Sequence, residues 1–275
     1  MKKYLIWIIT VLLTLFAATY QRVTGPTYPK SYSVEVESTT YSVRFPRSHG
    51  GDTDKRIRIP VENSNIEGKI VFRRFPTKEP WDTIQMEKDN KYLAGHLPGQ
   101  PPAGKLEYYV LLGSGNTDVQ VNPNPVVIRF KGSVPGWVLI PHILFVFAAM
   151  LFSSISGFFS IFRYPKYKLY AYLTVIMIVV GGFVLGPVIQ KYAFGAFWTG
   201  FPFGQDLTDN KILFAFVFWL AAIIGNIKKE RHWMVILAAS LYLVINFIPH
   251  SLLGSELDVE SGEVITGMIP FISIF

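Results

Sequence analysis

The chain has 275 residues, of which half are hydrophobic and only 16% are charged, whereas a soluble domain carries roughly 25% charged residues. The deficit lies in long stretches after Val134, so the composition indicates two solvents, water and lipid. The net charge of +7 comes from basic residues that are mixed with acidic ones or clustered beside apolar runs, which argues against a nucleic-acid partner, and the lack of cysteine excludes disulfides and thiolate sites.

The first element is an apolar run over residues 4–19, which follows two lysines and ends before Gln21. Such a run is either a signal peptide or an uncleaved anchor. Neither Ala17 nor Ala18 has a small residue two positions before it, so the pattern favours an anchor over residues 1–22. Either way, the following domain is sent across the membrane.

Residues 23–134 have a different pattern, with short alternating segments rich in Val, Ile, Tyr and Phe between clusters of Gly, Pro, Asn and Asp. This alternation is typical of β-strands. The number of strands and their spacing predict an all-β sandwich. The predicted strands are 32–37, 41–46, 56–61, 68–75, 92–96, 106–112 and 126–130.

The segment 97–110, LPGQPPAGKLEYYV, carries a resemblance. It resembles the Pro/Gly turn and tyrosine-rich strand of immunoglobulin-like and fibronectin-type-III-like modules, as found in uncharacterised bacterial polytopic membrane proteins with such a domain outside the membrane. The resemblance implies an Ig-like sandwich that serves as a binding or spacer module. It implies no catalytic residues.

Four more apolar runs follow, at 137–162, 169–189, 212–227 and 233–248. Each is nearly free of charge and close to the length of a helix that crosses about 30 Å of hydrocarbon. Together with the first run they predict about five transmembrane helices. Four of these form a bundle over residues 135–250.

The loops predict the orientation. The loops at 163–168 and 228–231 are short and basic, which is typical of the cytoplasmic side. We therefore predict a multi-pass protein of a bacterial inner membrane, with a cytoplasmic N-terminus and the β domain outside. The tail 251–275 is acidic and then apolar, and it also lies outside. Its last residues, 264–275, are too few to span, so they lie in the interface, re-enter or dock on the β domain.

Two histidines are candidate cofactor ligands. His142 and His250 both lie near predicted outer helix ends, so they could ligate a b-type haem iron axially, or hold zinc or copper. Each also adjoins a proline, and a histidine that simply caps a helix end would give the same pattern.

Two carboxylates, Asp206 and Asp209, precede the fourth apolar run. They could bind a cation or relay protons. The alternative is a helix N-cap, in which Thr208 or Asp209 accepts amide hydrogen bonds from the helix.

Three functions remain open. The sequence contains no P-loop, dinucleotide fingerprint, G-x-S-x-G elbow or H-E-x-x-H helix, and no charged residue in the middle of a predicted span. The leading hypothesis is a non-enzymatic accessory, assembly or recognition subunit of the envelope with a protein partner. The alternatives are a redox subunit with haem between His142 and His250, and a transporter of small solutes.

Overall fold

The computed structural model describes residues 3–61, 63, 65–115, 117–249, 255–262 and 264–265. These residues form two compact units. The helical unit contains the described residues up to Pro26 and those of Val134–Ser255, and the β unit contains those of Thr27–Ser133 and Glu256–Ile265. The predicted ligand His250 and the apolar stretch 266–275 lie outside the described residues.

The helical unit has α1 before the β strands and four helices after them. The helices are α1 (Lys3–Thr24), α2 (Gly136–Ile161), α3 (Tyr167–Phe194), α4 (Leu207–Gly225) and α5 (His232–Phe247).

The predicted number of spans is wrong. Among the described residues, four helices, α1 to α4, are long and apolar enough to cross a membrane, whereas α5 has 16 residues. A crossing takes about 17–25 residues. Helix α5 ends at Phe247 because Ile248 is extended, with φ −76° and ψ 119°, and the residue before a proline, here Pro249, disfavours the helical conformation.

Helix α3 contains a π-helical segment, Val179–Leu185, in its middle. Two glycines in this segment allow close contact with neighbouring helices. A Cβ atom on Gly182 would lie 2.6 Å from the Ile212 side chain of α4, and one on Gly181 would lie 3.2 Å from the backbone nitrogen of Val146 in α2. Larger side chains at these two positions would push the helices apart, so the glycines of the π segment allow α3 to pack closely against α2 and α4.

The β unit contains short strands that alternate buried and exposed side chains. The strands are β1 (Lys30–Val36), β2 (Thr39–Phe45), β3 (Ser48–Gly50), β4 (Lys55–Pro60), β5 (Glu67–Arg74), β6 (Asp82–Gln85), β7 (Glu87–Asp89), β8 (Tyr92–Leu97), β9 (Lys105–Ser114), β10 (Thr117–Gln120), β11 (Val126–Lys131), β12 (Glu256–Leu257) and β13 (Val264–Ile265).

Their pairing gives a six-stranded sheet, a three-stranded sheet and two hairpins. The six-stranded sheet has the order β3-β11-β9-β5-β6, with β10 also paired to β9, and the three-stranded sheet has the order β4-β8-β7. Strands β1 and β2 form one hairpin, and β12 and β13 form the other. The first hairpin and both larger sheets share one hydrophobic core, in which Phe45, Ile57, Leu93, Tyr108 and Phe130 are almost fully buried.

The prediction of an Ig-like sandwich is wrong for this arrangement. The segment that carried the resemblance does not form a hairpin, because β8 ends at Leu97 in the three-stranded sheet and β9 begins at Lys105 in the six-stranded sheet. In addition, β3 joins β11 in parallel. Among the described strands, the β1–β2 hairpin pairs with no third strand. The Pro- and Gly-rich turn is therefore a crossover between sheets.

The described part of the tail belongs to the β unit. The backbone N–H of Leu257 donates to the carbonyl of Ala103 at 3.3 Å, and Glu256 forms an ion pair with Lys105. Of the stretch 264–275, the structure describes only Val264 and Ile265, which pair with Leu257 and Glu256, so the choice among interface, re-entry and docking stays a prediction for the rest.

Candidate functional site

The loop end of the helical unit brings together most of the residues singled out in the sequence. This end consists of the start of α2, the end of α3, the loop 195–206, the start of α4 and the end of α5. Its polar side chains lie among apolar helices, where every backbone polar group needs a partner from within the protein.

His142 of α2 bonds the π segment of α3. Its Nδ1 atom lies 2.9 Å from the carbonyl oxygen of Gly181, so Nδ1 carries the proton and donates. The same carbonyl also accepts the backbone N–H of Gly186. The Nε2 atom of His142 has no hydrogen-bond partner among the described residues, which leaves its lone pair available. Its predicted partner His250 lies outside the described residues.

Asp206 is the N-cap of α4. Its Oδ1 atom accepts the backbone N–H of Thr208 at 2.7 Å and that of Asp209 at 3.4 Å. The predicted N-cap is therefore present, but its residue differs from the predicted Thr208 or Asp209. The helix begins at Leu207, one residue before Thr208, and Asp206 has the extended ψ of 122° that a capping residue requires.

We expect Asp206→Ala to destabilise the protein by about 1 kcal/mol, which is the usual loss for an N-cap. Thr208→Ala is the matched control, because no hydrogen bond of the Thr208 side chain contributes to the cap. Thermal unfolding of the detergent-solubilised protein measures both. A larger loss for Thr208→Ala than for Asp206→Ala would contradict this assignment of the cap.

Asp209 holds the loop before α4. One of its carboxylate oxygens accepts the backbone N–H of Thr199 at 2.7 Å and that of Gly200 at 3.0 Å, as well as the Thr199 hydroxyl at 3.3 Å. With its amide nitrogen facing Asp209, Gln190 donates to both carboxylate oxygens at 3.0 Å. Gly200 permits this contact, since a Cβ atom there would lie 2.6 Å from the Asp209 Cβ.

Lys211 was not singled out in the sequence. Only 6% of its surface is exposed, and its ammonium group donates to the carbonyl of Ile248 at 2.8 Å. Gln21 of α1 donates to the same carbonyl at 3.4 Å and to that of Asn246 at 3.1 Å. The two side chains therefore cap the C-terminal end of α5, where a positive charge is favourable. The position of Lys211 directly before the apolar run 212–227 was the signal that could have identified it.

These contacts define what the loop end can do. Asp206, Asp209 and Lys211 each bond the backbone, and none of them forms an ion pair with another described residue. The described part of the chain contains no group of three or more His, Asp or Glu side chains that could hold a metal ion. The side chains at the loop end provide hydrogen-bond partners for the backbone at the start of α4 and the end of α5, and they hold the loop 195–206 in place.

A second candidate site is a surface of the β unit, which we call the Trp81 patch and define as Arg73, Trp81, Glu107 and Tyr109. The rings of Trp81 and Tyr109 meet edge to face with centroids 5.0 Å apart, and the Arg73 guanidinium lies 4.4 Å from the Trp81 centroid. Arg73 Nε donates to Glu107 Oε1 at 2.5 Å. Arg73, Trp81 and Tyr109 are partly exposed on the outer side of the six-stranded sheet.

The Trp81 patch follows from strand register, which the sequence alone did not give. Arg73 faces Glu107 across β5 and β9, and Tyr109 faces Val71 on the same side. Beside the patch, a hydrogen bond from Arg74 lowers the pKa of Glu79. Trp, Tyr and Arg are the residues that most often dominate binding energy at protein interfaces.

In comparisons with known proteins, no family model and no curated protein matches this chain.

Proposed function

We propose that the chain is a multi-pass protein of a bacterial inner membrane whose β unit is a non-enzymatic recognition or assembly module. The helical unit anchors that module. One observation carries the proposal: the two units use their polar side chains differently. The buried ionisable side chains at the loop end bond backbone groups. The β unit, in contrast, presents aromatic and arginine side chains to solvent.

The chemistry of the Trp81 patch supports a protein partner. Its two rings provide apolar area with few rotatable bonds, and Arg73 and Glu107 add charged groups that can exchange hydrogen bonds. The patch adjoins β6, an edge strand of four residues. A partner could therefore contact the side chains of the patch and the edge of the sheet together.

The orientation is part of the proposal. The turns at 163–168 and 228–231 are basic and mark the cytoplasmic side. The hairpin β12–β13 belongs to the same unit as β9, so both lie on the same side of the membrane. The chain therefore crosses an even number of times between Ser133 and Glu256. Three long helices lie between these residues. In this orientation α2, α3 and α4 each cross, and the chain crosses back between residues 231 and 256, a segment that contains the 16-residue helix α5.

Single cysteines test this orientation cleanly, because the chain has none of its own. We expect Thr39→Cys and Glu260→Cys to react with a membrane-impermeant maleimide in intact cells, and Lys229→Cys to react only after the membrane is opened. All three positions are exposed in their own units. Opposite reactivity of Thr39→Cys and Glu260→Cys would contradict the shared side.

Cross-linking tests the recognition role. A photoreactive maleimide on Thr83→Cys, which faces outward on β6 beside the patch, should link one stoichiometric partner in membranes. The same reagent on Thr39→Cys is the matched control and should not link it. Adding Trp81→Ala should abolish the product. Equal yields from both positions, or a yield that Trp81→Ala leaves unchanged, would count against the proposal.

A redox role is the second candidate, and one observation favours it. His142 donates from Nδ1 and keeps Nε2 without a hydrogen-bond partner among the described residues, which is the tautomer that metal-ligating histidines adopt. A Soret band that is lost with His142→Ala would establish haem. A colourless protein purified from haem-replete cells would exclude it.

A further inference from the structure

A groove lies between α1, α2 and α5 of the helical unit. Its cavity volume is about 110 Å³. Its walls are apolar apart from the hydroxyls of two serines. The lining residues are Leu13, Ser154, Gly157, Phe158, Ile161, Ile236, Ala239, Ser240 and Leu243.

Small residues create the groove. Helices α2 and α5 touch at Gly157 and Ala239, where a Cβ atom on Gly157 would lie 2.7 Å from that of Ala239. Beside this contact stand Ser154 and Ser240, which are too short to fill the space between the helices. A serine hydroxyl in a helix can bond the carbonyl four residues earlier, so these two hydroxyls do not by themselves require a polar occupant.

The size of the groove limits its occupant. A helix with side chains is about 10 Å wide, which is too wide for this space. A cavity of roughly 150 Å³ holds one small hydrocarbon molecule such as benzene, so the groove suits a short length of a single alkyl chain. In hydrocarbon surroundings, lipid acyl chains provide that chemistry.

The groove ends at the basic side of the bundle. Ile161, which lines it, is followed two residues later by Arg163, and Lys3 of α1 lies 5.2 Å from the Tyr164 ring centroid in the same turn. Among the described residues, the one acidic side chain in this region is Glu230, which pairs with Lys168 at 3.7 Å. The basic residues of this side are Lys3, Arg163, Lys166, Lys168, Lys228, Lys229 and Arg231.

We propose that the groove and the basic turn beside it bind an anionic phospholipid. An acyl chain occupies the groove, and the phosphate group lies against Arg163 and Lys3. Arg163 has no carboxylate partner among the described residues, and guanidinium groups bind phosphate oxygens strongly. A zwitterionic lipid satisfies the groove equally well but has no net charge to complement the excess of basic residues. The inference depends on the membrane location and not on the recognition role of the β unit.

Native mass spectrometry of the full chain tests this. The protein is purified in detergent doped with equal amounts of phosphatidylglycerol and phosphatidylcholine, and bound lipid is counted. We expect about one phosphatidylglycerol per chain. Arg163→Asn should lower its retention roughly fivefold, the usual effect of one basic residue at a membrane surface. Asparagine is chosen because residue 163 has a φ of 56°, which asparagine tolerates.

Two further variants distinguish binding of the lipid acyl chain from binding of the headgroup. Ser240→Leu fills the groove and should remove bound lipid, whereas Lys78→Gln, which removes an exposed charge in the β unit, should change nothing. Glycerol phosphate at millimolar concentration should not displace the lipid. Displacement by glycerol phosphate, equal retention of the two lipids, or full retention in Ser240→Leu would overturn the proposal.

Because Arg163 lies in an exposed turn, its variant remains informative if Ser240→Leu does not fold. The Thr83→Cys cross-link should be the same in the Arg163→Asn protein as in the parent. Loss of lipid with an intact cross-link separates this site from the function proposed for the β unit.

Discussion

Asp209→Ala is expected to destabilise the helical unit by about 2–6 kcal/mol, because it leaves the buried N–H groups of Thr199 and Gly200 without an acceptor. Each such group costs about 1–3 kcal/mol. Asp209 is 8% exposed, so water does not easily replace the carboxylate. Thermal unfolding in detergent should show the loss, and hydrogen exchange should become faster at these two amides.

Two comparisons make the Asp209 result specific. Asp206→Ala removes a carboxylate three residues away. We expect it to lower the free energy of unfolding by less, since it removes only the N-cap of α4. Gly200→Ala keeps the carboxylate but places a Cβ atom against it, and it should also destabilise the loop. An Asp209→Ala protein as stable as the parent, with slow exchange at Thr199 and Gly200, would show that the loop is held by other contacts.

Asn122→Ala is expected to destabilise the β unit by about 2–4 kcal/mol. Strand β9 pairs along one edge with β11 over Lys105–Tyr108 and with β10 over Leu111–Ser114. The Asn122 side chain bridges the gap: its Oδ1 accepts the N–H of Val110 at 3.1 Å, and its Nδ2 lies 3.4 Å from the carbonyl of Tyr108. Asn122 is fully buried, so alanine leaves these backbone groups unpaired.

The exchange rate of the Val110 amide hydrogen tests this prediction directly. The Val110 amide should exchange faster in Asn122→Ala, and the denaturant midpoint of the β unit should fall. Asn124→Ala is the control, because Asn124 is exposed and contributes only its backbone carbonyl to the network. Equal midpoints for the two variants would mean that Asn122 does not complete the strand edge.

The sequence predicted the elements better than their assembly. Apolar runs gave the positions of α2, α3 and α4 to within about five residues, because helices in lipid are long and uniformly apolar. The alternation of side chains likewise gave β5 and β9. The partners of strands could not be predicted in this way, since alternation fixes which face is buried and not which strand lies beside it. The crossover after Leu97 therefore looked like a hairpin.

The polar residues illustrate the same limit. Asp206 and Asp209 were found because carboxylates before an apolar run stand out, but their separate roles depend on Thr199 and Gly200, which lie in a loop with no periodic pattern. Lys211 acts on Ile248, 37 residues further along the chain. Spacing along the sequence carries no information about such contacts.

The docking of β12–β13 on the β unit has a consequence for biosynthesis. The contacts of Lys105 with Glu256 and of Ala103 with Leu257 cannot form until the ribosome has made residues 256 and 257, which follow all the described helices in the chain. At about 5–20 residues per second, that delay is several seconds or more. The contacts of the β unit are therefore completed only after the residues of α2 to α5 have been synthesised. A chain that ends before Glu256 would lack the ion pair to Lys105 and the backbone hydrogen bond to Ala103.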